Sequence, residues 1–289
     1  MKPAWNGECL WALRLMARHA LHRASLRVGA ALLPMLTAQA STRLAEGVFA
    51  ALGPLLHAER HGRAFHALQR LGHAPSIAAE LSARFLAGHW LRKVHAHHLQ
   101  SLPFPALQHL LRTMTWRDPG ALWSSAAAHR RVVCLLPSGN FELAAAALLD
   151  RPGAPAHYFI NPLHSVDSPM HRTLLALQRQ GHRLDIGRSR RCGQAWRTLR
   201  RGATVVTVLD PCPWRQTGSA MEPAPLRLAR LAQAPVLLLG HRCDGSAAGT
   251  LHVLGEYSAE SIANGATALY ASAHAFLAAA PHDWRDLDR

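Results

Sequence analysis

The stretch Val133-Cys134-Leu135-Leu136-Pro137-Ser138-Gly139-Asn140-Phe141-Glu142-Leu143 decides the fold. An uninterrupted apolar run ends at Leu136, too short for a helix and bounded by proline and glycine, so it reads as a buried strand. Gly139 permits a tight turn, and a helix begins near Asn140 or Phe141, which places Glu142 in a first helical turn. Strand, tight turn and helix in this order form the opening of an α/β unit.

Working outward, the rest of the second half keeps the same alternation. Short β-branched runs at Val132-Leu136, His157-Ile160, Arg183-Ile186, Thr204-Leu209, Val236-His241 and Thr250-Leu254 are the expected strands. Helical patterns separate them at Glu142-Leu149, Ser168-Gln180, Gly193-Arg200, Pro223-Ala232 and Ala259-Ala280. This is the pattern of an α/β fold with a mixed, mostly parallel sheet flanked by helices. Ligand sites in such sheets lie beyond the carboxyl ends of the strands, so the turn after Leu136 is the first candidate. Residues 1–125 read instead as a helical N-terminal arm. Its helical patterns at Leu44-Leu52, His61-Leu71, Ser76-His98 and Pro105-Met114 are separated by Pro54, Pro75 and Pro103. The arm is expected to pack on a core of residues 126–289 as one continuous domain, because no long linker divides them.

Composition narrows the partners. The chain has 289 residues, 49% hydrophobic and only 17% charged, which excludes disorder throughout. Its formal net charge is +15, and apart from Lys2 and Lys93 the basic residues are all arginine, the residue suited to planar pairing with phosphate or carboxylate. From Leu10 to Leu26, apolar residues recur at helical spacing between Arg14, Arg18, His22 and Arg23. Such a helix either packs on the domain or lies on an anionic membrane surface. No uninterrupted apolar run reaches the roughly 20 residues of a membrane span, and no signal peptide is evident, so no transmembrane helix is expected. A second basic concentration, six arginines between Arg188 and Arg201, would draw an acidic protein or a phospholipid surface. Nucleic acid is disfavoured, since no zinc-finger, KH or RRM signature accompanies the charge. Five single cysteines without a CxxC pair argue against a disulfide framework or a zinc ribbon. His57…His61 and the group His89, His95, His97 and His98 lack the spacing of a metal site and read as solvated helix faces; no metal and no cofactor are expected.

The quoted turn resembles the signature His-Phe-Gly-Asn-Trp-Glu of the bacterial lipid A biosynthesis acyltransferases, the late lauroyl and myristoyl acyltransferases of the lysophospholipid-acyltransferase-like superfamily. Gly139, Asn140, Phe141 and Glu142 stand at its last four positions. Further likenesses follow in family order: Asn161-Pro162-Leu163 with Arg172, the strand Thr204 to Asp210, Ala224-Pro225-Leu226 through Val236, and the close Pro281-His282-Asp283-Trp284. The resemblance covers about residues 40–289 and implies a glycerol-3-phosphate acyltransferase-like fold. It also implies transfer of a fatty acyl group from acyl carrier protein to a hydroxyl of a glycolipid or related amphiphile at the cytoplasmic face of the inner membrane. In that family the glutamate orients a histidine that deprotonates the acceptor hydroxyl, which attacks the acyl thioester. Glu142 is the glutamate; Asn140, Arg172 and Asp210 are carried over as substrate-binding positions, with Arg172 holding an anionic headgroup or phosphopantetheine phosphate and Asp210 fixing that arginine. The family's Asp-Gln is Asp210-Pro211 here.

The histidine's position is Pro137. Proline has no titratable group, and a general base contributes roughly 10²–10⁴-fold. Three readings follow. A histidine from elsewhere reaches the site, with His164, His171 and His182 nearest in the following segments. Ser138 accepts the acyl group, although Gly-x-Ser-x-Gly is absent and a serine in such a turn is ordinarily a turn residue. Or the chain is a catalytically silent homologue that binds lipid or acyl carrier protein as a pathway partner.

Overall fold

The computed structural model describes residues 16, 20, 23–32, 35–124, 130–151, 155, 157–160, 169–187, 192–211, 222–243 and 248–288. Residues 23–32 are helical and form α1. Four helices of the arm follow: α2 (Ala38–Leu56), α3 (Ala58–Arg70), α4 (Pro75–Ser101) and α5 (Phe104–Thr113). The chain then runs through β1 (Thr115–Arg117), β2 (Val132–Leu135), α6 (Phe141–Ala147), β3 (His157–Ile160), α7 (Pro169–Arg179), β4 (Arg183–Ile186) and α8 (Cys192–Arg200). It closes with β5 (Thr204–Val208), α9 (Ala224–Ala232), β6 (Val236–Arg242), β7 (Thr250–Tyr257), α10 (Ala259–Ala263) and α11 (Thr267–Ala279).

The strands join one seven-stranded sheet in the order β1-β7-β6-β2-β5-β3-β4. β6, β2, β5, β3 and β4 run parallel; β7 returns antiparallel to β6, with β1 parallel to β7 at the edge. The fold is therefore α/β with a mixed, mostly parallel sheet flanked by helices. β2 lies between β6 and β5, and all four of its residues are buried, as expected where helices cover both faces of a sheet. The period-two alternation sorts its side chains. Val132 and Cys134 join the core built with α3, α4, α8, α9 and α11, while Val133 and Leu135 join the core built with α5, α6 and α7.

The sequence reading departs from the structure in three places. Pro54 does not end α2 but sits in its last turn, where its missing N–H forfeits one bond, to the Ala50 carbonyl, while the helix still closes through the His57 N–H donating to the Gly53 carbonyl at 2.9 Å. The stretch read as wholly helical contains β1, whose three residues alternate exposed, half-buried and exposed, and which extends the sheet beside β7. The expected long helix Ala259-Ala280 is two helices, because Gly265 (φ +101°) and Ala266 (φ +54°) both take the left-handed conformation after Asn264. The amphipathic segment Leu10 to Leu26 lies mostly outside the described residues. Among the described residues, no helix is long and apolar enough to cross a membrane.

Candidate functional site

The parallel strands bring the carboxyl ends of β6, β2, β5, β3 and β4 to one edge of the sheet, and the 137–142 turn is at its centre. Leu136 extends the ladder by donating its N–H to the Leu239 carbonyl at 2.8 Å. The chain then turns sharply: the Ser138 N–H reaches back to the Leu136 carbonyl at 2.8 Å, around a buried Pro137. Gly139 adopts φ +52°, and a Cβ there would lie 2.5 Å from His241 Nδ1 and 2.7 Å from the His241 carbonyl oxygen. Only glycine satisfies both the torsion and the space. Asn140 then caps α6, its Oδ1 accepting from the Leu143 N–H at 3.3 Å.

Two segments distant in sequence hold this turn. The segment Pro281 to Arg285 crosses the sheet edge like a strap. Ser138 forms an antiparallel bridge with Trp284, the Gly139 N–H donates to the Asp283 carbonyl at 2.9 Å, and the Arg285 N–H donates to the Pro137 carbonyl at 2.7 Å. From the other side comes His241, near the end of β6 and 1% exposed. Its Nδ1 accepts the Asn140 N–H at 3.0 Å, which leaves the proton on Nε2, and Nε2–H donates to the Ala248 carbonyl at 2.9 Å. Both ring nitrogens are thus committed to backbone groups, and the imidazole acts as a bracket between the turn and the start of β7.

Glu142 stands in the first turn of α6, where the family glutamate is expected, and its Oε1 accepts from Arg285 Nη1 at 2.5 Å. The same guanidinium is 5.3 Å from the Phe141 ring centroid. The acid that would orient an imidazole is held by a fixed cation, at 21% exposure against 30% for the arginine. Pro137, Asn140 and Glu142 are brought together as adjacent residues must be. Asp210 follows two residues after Val208, which pairs with Leu135 in register, so it sits half-buried just beyond the carboxyl end of β5. Arg172 belongs to α7, which starts after β3.

Of the three histidines read as candidate bases, His171 and His182 are among the described residues. His182 precedes β4 and therefore lies at the amino edge of the parallel strands, opposite the turn. This corrects its place among the candidates. His171 is the third residue of α7 and half-buried. His164 and the Asn161-Pro162-Leu163 motif lie outside the described residues. Ser138 is fully buried and its Oγ accepts the His241 N–H at 3.2 Å, so it serves the turn as a structural acceptor and not as an acyl-accepting nucleophile. That is a second correction.

Behind the strap lies a dense group of basic side chains from the arm. Arg60 Nε pairs with Asp288 at 2.5 Å, while its Nη1 donates to His89 Nε2 at 2.5 Å. Burial, with Arg60, Arg92, Lys93 and Arg285 adding to it, drives the His89 pKa down to about 2, so this ring is neutral at pH 7. His95 is pushed to about 4, by burial and then by His98. Among the described residues no group of three or more His, Cys, Asp or Glu side chains could hold a metal ion. A narrow cleft of about 70 Å³ opens between α4, the tip of β6 and the strap, lined by Arg92, Asn140, His241, Cys243, His282 and Asp283 among others. Pockets for drug-sized ligands run to roughly 300–1,000 Å³, so this cleft is several-fold smaller than such a site.

Sequence reasoning missed His241, Arg285 and Arg92. The first had a signal: it ends an expected strand at the carboxyl edge. Arg285 had a weaker one, directly following the Pro-x-x-Trp close. Arg92 had none beyond its place in a basic helix. No protein-family model matches the chain, and no curated protein matches it.

Proposed function

We propose that this chain is a catalytically silent homologue of the lipid A acyltransferases, which binds lipid or acyl carrier protein as a pathway partner at an anionic membrane face. The observation that carries the reading is the Glu142–Arg285 ion pair beside Pro137. In the family chemistry the glutamate accepts a hydrogen bond from the base. Here a permanent cation occupies the carboxylate, the base's position is a pyrrolidine ring, and the backbone of the arginine's own residue takes up the Pro137 carbonyl. His241, an imidazole that the fold brings to the turn, has both nitrogens bonded to backbone.

Two surfaces support the partners. On α2, Leu44, Val48, Leu52 and Leu55 recur on one helix face and are 44–78% exposed; Val28, Leu32 and Met35, earlier in the chain, are exposed as well, with Arg23, Arg27 and Arg43 close in sequence. An apolar stripe with arginine flanks suits the headgroup boundary of an anionic membrane. Elsewhere Arg197, Arg200 and Arg201 are exposed on and just after α8, which suits an acidic carrier protein.

The test supplies an acyl-loaded acyl carrier protein and a hydroxyl-bearing glycolipid. The parent protein is expected to give no transfer above the protein-free rate. Pro137→His combined with Arg285→Gln, which restores an imidazole and releases the acid, is expected to create transfer, the base being worth roughly 10²–10⁴-fold. Transfer by the parent that disappears in Glu142→Ala would overturn the silent reading and establish the transferase.

A further inference from the structure

Arg92 stands on α4, one turn beyond Gly88, and lines the cleft together with Asn140, Cys243 and His282. Its Nη1 is 3.6 Å from the point a Cβ of Gly88 would occupy, so the guanidinium folds back across its own helix where glycine leaves room. Both terminal nitrogens are closed to water and, among the described residues, donate to no acceptor. The neighbouring arginines differ. Arg60 has Asp288, Arg285 has Glu142, and Arg242 donates to the carbonyls of Ala280 and Phe276. His282 Nδ1, in the same cleft, is likewise buried without a partner.

A guanidinium whose terminal nitrogens are buried without an acceptor costs stability, which is recovered when an anion takes up those donors. The protein's own acids near the cleft are already engaged. Asp283 Oδ2 accepts the Cys243 N–H at 3.4 Å, Glu46 pairs with Arg84 at 3.9 Å, and Glu142 and Asp288 hold the arginines named above. Burial pulls the Arg92 pKa below its ordinary value; Cys243 and Asp283 draw the side chain toward its charged form, while Arg285 and Arg60 oppose it. Among the described lining residues, the cationic donors left buried without an acceptor are the two terminal nitrogens of Arg92.

We propose that this cleft is a binding site for a single phosphate group, the Arg92 guanidinium turning from the Gly88 surface into the cleft to pair with it and the His282 ring providing a second polar contact. Its volume of about 70 Å³ admits a tetrahedral oxyanion. Phosphate is the chemistry shared by a phospholipid headgroup and a free phosphate ester. The inference rests on the reading of this sheet edge as a ligand site, but it needs no acyl transfer, and phosphate binding is measured without acyl donor or carrier, so its failure is distinct from failure of that reading.

Cys243 is exposed and lines the cleft, which makes its alkylation a reporter. The full chain is treated with iodoacetamide at constant ionic strength in chloride, with or without inorganic phosphate or dihexanoyl phosphatidate, and the Cys243 peptide is quantified by mass spectrometry. Protection is expected to follow 1 + [L]/Kd, about tenfold at ten times Kd. Tighter protection by the phosphatidate identifies a lipid headgroup; equal protection identifies free phosphate. Arg92→Met is expected to abolish protection while melting in chloride at the parent temperature or above, because the unpaired buried charge is gone. Thr42→Glu, which puts a carboxylate on the cleft wall, is expected to abolish protection by competition. Absence of protection in the parent, or equal protection in Arg92→Met, overturns the proposal.

Discussion

Replacing Gly139 by alanine perturbs the turn at the point where the described contacts are tightest. At φ +52° an L side chain costs about 1–2 kcal/mol. The new methyl would sit 2.5 Å from His241 Nδ1 and 2.7 Å from the His241 carbonyl oxygen. Moving the ring sacrifices two hydrogen bonds, from the Asn140 N–H at 3.0 Å and to the Ala248 carbonyl at 2.9 Å, each contributing about 1 kcal/mol. The carbonyl belongs to β6 and shifts only if the ladder with β7 shifts. The expected loss is about 3–5 kcal/mol, a large part of a typical 5–15 kcal/mol stability. That corresponds to roughly 6–10 °C in Tm for a chain of this size. Urea unfolding monitored by circular dichroism measures it, with His241→Ala and the double variant closing a cycle. The double variant should recover at most about half of the loss, since the carbonyl clash survives removal of the ring. A Gly139→Ala protein within about 1 kcal/mol of the parent would refute the argument that the turn's geometry is imposed by His241.

Two further outcomes follow from the arm. His89 and His95 have native pKa values of about 2 and about 4, below the ordinary 6.5, so as pH falls below 6.5 the unfolded chain takes up protons that the native rings refuse, and stability declines. Between pH 7.5 and 5.5 each ring should remove about 1 kcal/mol; urea midpoints should fall accordingly, and His89→Gln should fall less, whereas an unchanged slope in that variant would show that His89 titrates normally. On α2, Val48→Glu with Leu52→Glu should reduce flotation with anionic vesicles at low salt about tenfold or more, each side chain being worth up to roughly 1.5 kcal/mol of burial; a parent protein that stays in the soluble fraction would remove the membrane-face reading.

Much of the architecture was legible because local chemistry imposed it. Val132 to Leu136 has no helical stripe and is bounded by Pro137, so burial on both faces is its stable solution, and the same holds for Thr204 to Val208 and Val236 to His241. Where a local signal was read against its context, the reading failed. Pro54 looked like a terminator but α2 absorbs it at the loss of one bond to the preceding turn, and Asn264-Gly265 broke a helix whose apolar content suggested continuity. Thr115 to Arg117 is too short to show alternation and becomes a strand only because β7 lies beside it.

The turn itself shows the same division. Gly139, Asn140 and Glu142 are neighbours along the chain, so their spacing alone placed them on one strand-to-helix corner, and the proline at position 137 could be recognised as chemically inert there without coordinates. What that corner can do was decided by groups about 100 and 143 positions away. His241 arrives because β6 pairs with β2, and Arg285 because the C-terminal strap bridges Ser138 through Trp284. Nothing in a linear spacing reports which charge a folded chain will set against Glu142, since an ion pair depends on distance in space. The sequence by itself determined the scaffold and the absence of an imidazole at position 137; only the tertiary structure decided that Glu142 is paired with an arginine and that, among the described residues, the terminal nitrogens of Arg92 are buried without an acceptor.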